Sequence, residues 1–209
     1  MKKINTNLKK DFQSAITIIA WVAVFLQLFL IIENRVASIP ETIVRFFSFF
    51  TIQSNILVAV CFTFLRLMPN SKLGLFFGHK LNITAITLYI LIVGIVYNLI
   101  LRFLWQPTGL QRIDDEMLHS LIPILVLVYW IYFVEKAQLF YKHILPWLIF
   151  PSLFLVYTLI RGYFFKFYPY PFLDVLVLGY KSVLINSFFM VLAFSFIGSI
   201  LVFISKIKK

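Results

Sequence analysis

The sequence predicts an all-α polytopic membrane protein with six transmembrane helices and both termini on the cytoplasmic side. Three observations predict it. Of the 209 residues 62% are apolar and only 13% charged, and the mean hydropathy is +0.96. A soluble domain has about 45–50% apolar and about 25% charged residues, and a disordered chain has still fewer apolar ones. Second, six long apolar runs follow one another, each near the roughly 20 residues a helix needs to cross the hydrocarbon core. Third, the basic residues fall mostly on one side of those runs.

The runs are Phe12–Ile32, Phe46–Leu65, Leu81–Leu101, Met117–Val134, Ile144–Ile160 and Ser182–Ser205. Helices are predicted because backbone groups facing lipid must bond within their own segment, and none of the runs alternates with the period two of a barrel strand. The first run follows Lys2, Lys3, Lys9 and Lys10, as a signal peptide would. It is too long for one and has no small-residue cleavage site before Glu33-Asn34-Arg35, so it reads as the first span. Pro146 and Pro151 predict a kink in the fifth run. The loops are short and no repeat interrupts them, so residues 1–209 are expected to form a single six-helix domain.

With the N-terminus inside, Lys2, Lys3, Lys9, Lys10, Arg66, Lys72, Lys80, Lys136, Lys142, Lys206, Lys208 and Lys209 are cytoplasmic. Arg35, Arg45, Arg102, Arg112, Arg161, Lys166 and Lys181 are outside, and so are all the acids except Asp11 and Glu135. Nearly all of the +11 net charge therefore belongs to the inner face, where anionic lipid is the natural partner. Nucleic acid is not implied. The one cysteine, Cys61, excludes an internal disulfide and a cysteine-based zinc cluster. No phosphate-binding glycine loop, HExxH or GxSxG is present, and no cofactor or metal is implied.

Chemistry must then sit on the helices or outer loops. In the second run Ser48, Thr51, Ser54 and Asn55 share an arc of about 120°, at 100° per residue, with Gln53 directed elsewhere. Such a stripe on a Phe-rich helix is expected to face the bundle interior. Thr51 alone would read as a hydroxyl bonded four residues back, whereas the amide of Asn55 needs several partners. The fourth run opens Asp114-Asp115-Glu116-Met117-Leu118-His119-Ser120. Three acids at a helix start would complement the helix dipole, which by itself accounts for them. His119 is the histidine that lies within a span, and an intramembrane histidine is a functional hypothesis by default. Asp115, four residues earlier, is placed to orient it.

Thr51 and His119 are predicted at similar depth near the outer surface, which makes a nucleophile, base and orienter set conceivable if the second and fourth helices are neighbours. Asn55, Asn98 or Ser120 would donate to an oxyanion, and Arg102 or Arg161 would hold a carboxylate head group. Tyr168, Pro169, Tyr170, Pro171, Phe172, Leu173 and Asp174 follow on the same side, where an aromatic interface belt is the simpler reading of the tyrosines.

The stretches FFTIQSNIL (49–57), LHSLIPIL (118–125) and YPYPFLD (168–174) resemble the bacterial integral-membrane relatives of the androgen-induced-gene family, the eukaryotic transmembrane threonine hydrolases. The resemblance spans all six runs, with YPYPFLD the most distinctive piece. It implies hydrolysis of fatty acid esters of hydroxy fatty acids, with Thr51 as nucleophile and His119 as base. The residues after the threonine, Ile52-Gln53-Ser54-Asn55, and the spacing from His119 to Pro123 depart from the eukaryotic pattern.

The expected function is a lipid-ester hydrolase of a bacterial cytoplasmic membrane. Thr51, His119 and Asp115 would be catalytic. Asn55, Asn98, Arg102, Arg161, Tyr170 and Asp174 would bind substrate. A binding or transport protein using the same polar groups, or a silent membrane scaffold, are the alternatives. The sequence leaves the natural substrate and the oligomeric state open.

Overall fold

The computed structural model describes residues 6–136 and 139–207. Lys2, Lys3, Lys208 and Lys209 of the charge argument lie outside the described residues. The described chain is helical, and six helices are long and apolar enough to cross a membrane. They make this a multi-pass membrane protein. The chain divides into two compact units, Met1–Lys136 and Ala137–Lys209, carrying four and two of the spans.

The first unit contains α1 (Thr6–Glu33), α2 (Ile39–Phe47), α3 (Phe50–Leu67), α4 (Lys72–Gly78) and α5 (Lys80–Leu99). It ends with α6 (Gly109–Glu116), a π-helical turn (Met117–Leu121) and α7 (Ile122–Phe133), which run on as one span. Apolar side chains give little drive for helix association within lipid, so polar bonds between helices matter more there. Gln13 of α1 donates to the Tyr129 hydroxyl of α7 at 2.9 Å, and Trp21 of α1 to Thr63 of α3 at 3.0 Å. Trp130 of α7 donates to Thr84 of α5 at 2.8 Å, and Gln111 of α6 to Gln27 of α1 at 2.8 Å.

Two of the span boundaries are corrected, with consequences for the site. The second span starts at Phe50 rather than Phe46, because α2 ends just before it. Ser48 turns back, its N–H bonding Arg45 O and its hydroxyl Val44 O at 2.6 Å, and Phe49 is extended. Ser48 is therefore buried in the break and is not on the Thr51 helix, while Thr51, Ser54 and Asn55 do face the interior. The fourth span starts at Gly109, in a left-handed conformation (φ 58°), rather than at Met117. Asp114, Asp115 and Glu116 thus close α6 instead of opening a helix, so the helix dipole does not account for them.

The second unit has a 3-10 turn at Tyr141–His143, α8 (Ile144–Trp147), α9 (Ile149–Phe165), a 3-10 turn at Pro171–Leu173 and α10 (Val175–Ile207). The expected kink is the break at Leu148, where Pro151 has no N–H for the Trp147 carbonyl one turn back. α10 is interrupted at Gly179, whose φ of 72° a side chain would resist.

Candidate functional site

The site forms where α3, α5 and α6 meet the π-helical turn. In that turn Ile122 bonds Met117 O, five residues back. The Leu118 carbonyl would need an N–H from residue 122 or 123, but Ile122 is engaged and Pro123 has none. The His119 carbonyl likewise loses its ordinary donor, the N–H of residue 123. Two asparagines from neighbouring helices replace them. Asn55 of α3 donates to Leu118 O at 3.4 Å and to Thr51 O at 2.9 Å. Asn98 of α5 donates to His119 O at 3.2 Å and to Gly94 O at 2.8 Å. Gly94 allows this approach, since a Cβ there would sit 3.0 Å from His119 O and 3.1 Å from Pro123 Cβ.

The turn fixes His119. Its Nδ1 lies 2.9 Å from the Asp115 carbonyl oxygen and 3.8 Å from the Asp115 carboxylate. A carbonyl only accepts, so Nδ1 carries the proton and Nε2 is the basic nitrogen. The Tyr97 ring stacks on the imidazole, with centroids 3.9 Å apart and planes 15° apart. Tyr97 also donates to Asp115 Oδ2 at 3.3 Å, and Trp105 donates to the same oxygen at 3.1 Å. Asp115 thus orients His119 through its main chain, and its carboxylate anchors Tyr97 and Trp105.

Beside it Arg102 grips Glu116 with both terminal nitrogens, at 2.8 and 2.7 Å, and Ser120 donates to Glu116 at 2.8 Å. Glu116 and Ser120 also edge a shallow groove of about 530 Å³ walled by Ile113, Met117, Leu121 and Ile124.

Thr51, Asn55, Asn98, Arg102, Asp115 and His119 are therefore gathered at one end of the first unit. Thr51 is buried, one turn from Asn55, on the helix that Asn55 ties to the residue before His119. The neighbour condition on the second and fourth spans is thereby met. Both N–H groups of Asn55 and of Asn98 are engaged with main-chain carbonyls. Arg161, Tyr170 and Asp174 belong to the second unit and have local roles there. Buried Arg161 lies over the rings of Phe165 and Phe167, and Tyr170 stacks on Phe172 at 5.3 Å. Asp174 accepts from Leu176 N at 2.9 Å, capping α10.

Sequence reasoning missed Trp105 and Gly94 and left Asp114 to the helix dipole, and Tyr97 gains its place in the site only from the structure. The i, i+4 series Gly94, Asn98, Arg102 on one helix face was the available signal for the α5 side of the site. Asp114 is 0% exposed, and neither carboxylate oxygen meets a donor. Ser54 Oγ, Asn55 Oδ1 and Arg102 Nε are also buried without partners. Among the described residues of the first unit, the buried side-chain atoms in this condition all belong to this end. Buried polar atoms are ordinarily satisfied, so a cluster of exceptions marks a place suited to polar ligands or reacting groups. Comparison with protein-family models, curated proteins and solved structures gives no match for this chain.

Proposed function

We propose that the protein is an intramembrane lipid-ester hydrolase whose reaction runs between Thr51 and His119. The observation that carries this reading is His119, held with Nε2 as its basic nitrogen by a π-helical turn that two asparagines complete. The resemblance of the three sequence stretches to transmembrane threonine hydrolases points the same way.

In this mechanism the Thr51 hydroxyl attacks the ester carbonyl while His119 Nε2 takes its proton. The tetrahedral intermediate collapses, the imidazolium returns the proton to the leaving alcohol, and an acyl ester remains on Thr51. Water attacks that ester with His119 again as base, releasing the fatty acid and restoring the threonine. The stacked Tyr97 ring and the Asp115 carbonyl keep the imidazole from turning. With the Asn55 and Asn98 amides committed to carbonyls, oxyanion stabilisation falls to other donors, and Arg102, paired with Glu116 at the same end of the unit, is the candidate cation. The groove walled by Ile113, Met117, Leu121 and Ile124 suits an acyl chain arriving from lipid.

Hydrolysis of a panel of long-chain lipid esters by purified protein in detergent tests this reading. Wild type should turn over at least one ester, and Thr51→Ala and His119→Ala should lose that activity while remaining folded. Equal rates for wild type and both variants on every ester would refute hydrolysis and favour a binding or transport protein using the same polar cluster.

A further inference from the structure

The opposite end of the first unit holds a second cavity, of about 450 Å³. Its wall residue Phe133 lies 14 positions beyond His119, and Leu65 lies 14 positions beyond Thr51. At 1.5 Å per residue this is about 20 Å from the candidate active site. Lys9 of α1, Lys80 at the start of α5 and Glu135 supply its charges, and His79 lies beside them. Lys9 and Lys80 are half-buried and both line the cavity. Two lysines against one carboxylate make the cavity electropositive. The N-terminal end of α5 adds the positive pole of a 20-residue helix.

The interior surface is mixed. Tyr129 is 2% exposed and lines the cavity. Its oxygen accepts from Gln13 at 2.9 Å, so its own proton remains to be donated. Leu65, Ile83, Phe133 and Val134 form apolar walls beside these groups. A small inorganic ion would not use those walls. A phosphate ester with carbon attached would use both, because lysines bind phosphate as point charges and the apolar walls accept the attached chain.

We infer that this cavity is a binding site for a phosphate-bearing group, held by Lys9, Lys80 and the Tyr129 hydroxyl, whose carbon substituent rests on Leu65, Ile83 and Phe133. The site is separate from the proposed ester hydrolysis and does not depend on it. A phospholipid headgroup and a free phosphate share this chemistry, and the experiment separates them.

The test uses the full chain in phosphatidylcholine nanodiscs. Thermal midpoint and bound lipid by native mass spectrometry are read with and without phosphatidylglycerol or phosphatidic acid. Inorganic phosphate and glycerol phosphate are added in a soluble arm. Lys9→Met with Lys80→Met should weaken saturable binding roughly tenfold or more, the scale of one lost charged hydrogen bond. Lys10→Met with Lys72→Met, exposed lysines outside the cavity lining, should leave it unchanged. Stabilisation by the anionic lipids alone assigns a headgroup, and equal stabilisation by glycerol phosphate assigns a free phosphate ester, whereas inorganic phosphate acting as strongly as either would overturn the part given to the apolar walls. Loss of the same size in both double variants would reduce the effect to general surface charge and overturn the inference. Absence of saturable binding in every arm would overturn it as well.

Discussion

Two regions that the sequence marks with equal emphasis, the turn around His119 and the YPYPFLD segment, prove to be built differently. Around His119 the polar bonds reach across the chain, from Asn55 to Leu118 and from Asn98 to His119, over separations of 63 and 21 residues. Around YPYPFLD they stay within a short reach. Asp174 bonds Leu176, and Asn186 donates to Phe172 O at 2.9 Å, over separations of 2 and 14 residues. The Tyr168 ring packs against Gly162, where a Cβ would meet Tyr168 Cε1 at 2.0 Å. A polar residue that shapes its own turn explains itself locally. Polar residues drawn from separate helices onto one turn are not required by any one of those helices, and that is the signature of a site.

The sharpest way to break the comparison is through the imidazole. His119→Ala should reduce ester hydrolysis by about 10²-fold or more, as expected for removal of a general base, while Asp174→Ala should leave the rate per folded molecule unchanged. The check is turnover normalised to folded protein. Asn98→Leu should come next. It leaves the His119 carbonyl without its side-chain donor and costs about 1–3 kcal/mol, the penalty for an unsatisfied buried group. Thermal unfolding and hydrolysis should fall together in this variant, because the same carbonyl supports the turn.

Gly162→Ala should be milder, at about 1–2 kcal/mol, since the half-buried Tyr168 ring can swing away from the new methyl group. Unfolding of this variant should show the loss with hydrolysis intact. Asp174→Ala should cost about 0.5–2 kcal/mol as a lost helix cap, read from the same unfolding curves. Among the changes around the imidazole, the smallest effect on the reaction should come from Asp115→Asn. The hydrogen bond to His119 Nδ1 comes from the main chain and survives, so catalysis should fall far less than in His119→Ala.

The helical class and all six spans were legible in the sequence, because runs of that length and apolarity have few other solutions. The breaks were harder. The α2–α3 break depends on the Ser48 hydroxyl turning back to Val44 O, and an unbroken apolar run hides such a turn. The fourth span was read too short because Asp114, Asp115 and Glu116 looked like the acids of a helix start. A helix can carry acids inward when tertiary contacts receive them, as Tyr97 and Trp105 receive Asp115. Thr51 and His119 stood out as polar residues in apolar runs. The π-helical turn was encoded by Pro123, but only the positions of Asn55 and Asn98 on other helices make such a turn affordable, and those are tertiary facts.

Labelling with a long-chain alkyl fluorophosphonate tests the Thr51–His119 pairing most directly, since an activated hydroxyl displaces its fluoride and keeps the phosphonyl group. The account predicts one adduct, mapped to Thr51 by peptide mass spectrometry, that is lost in Thr51→Ala and strongly slowed in His119→Ala. An adduct on another residue, no adduct at all, or labelling of Thr51 at the wild-type rate in His119→Ala would contradict it.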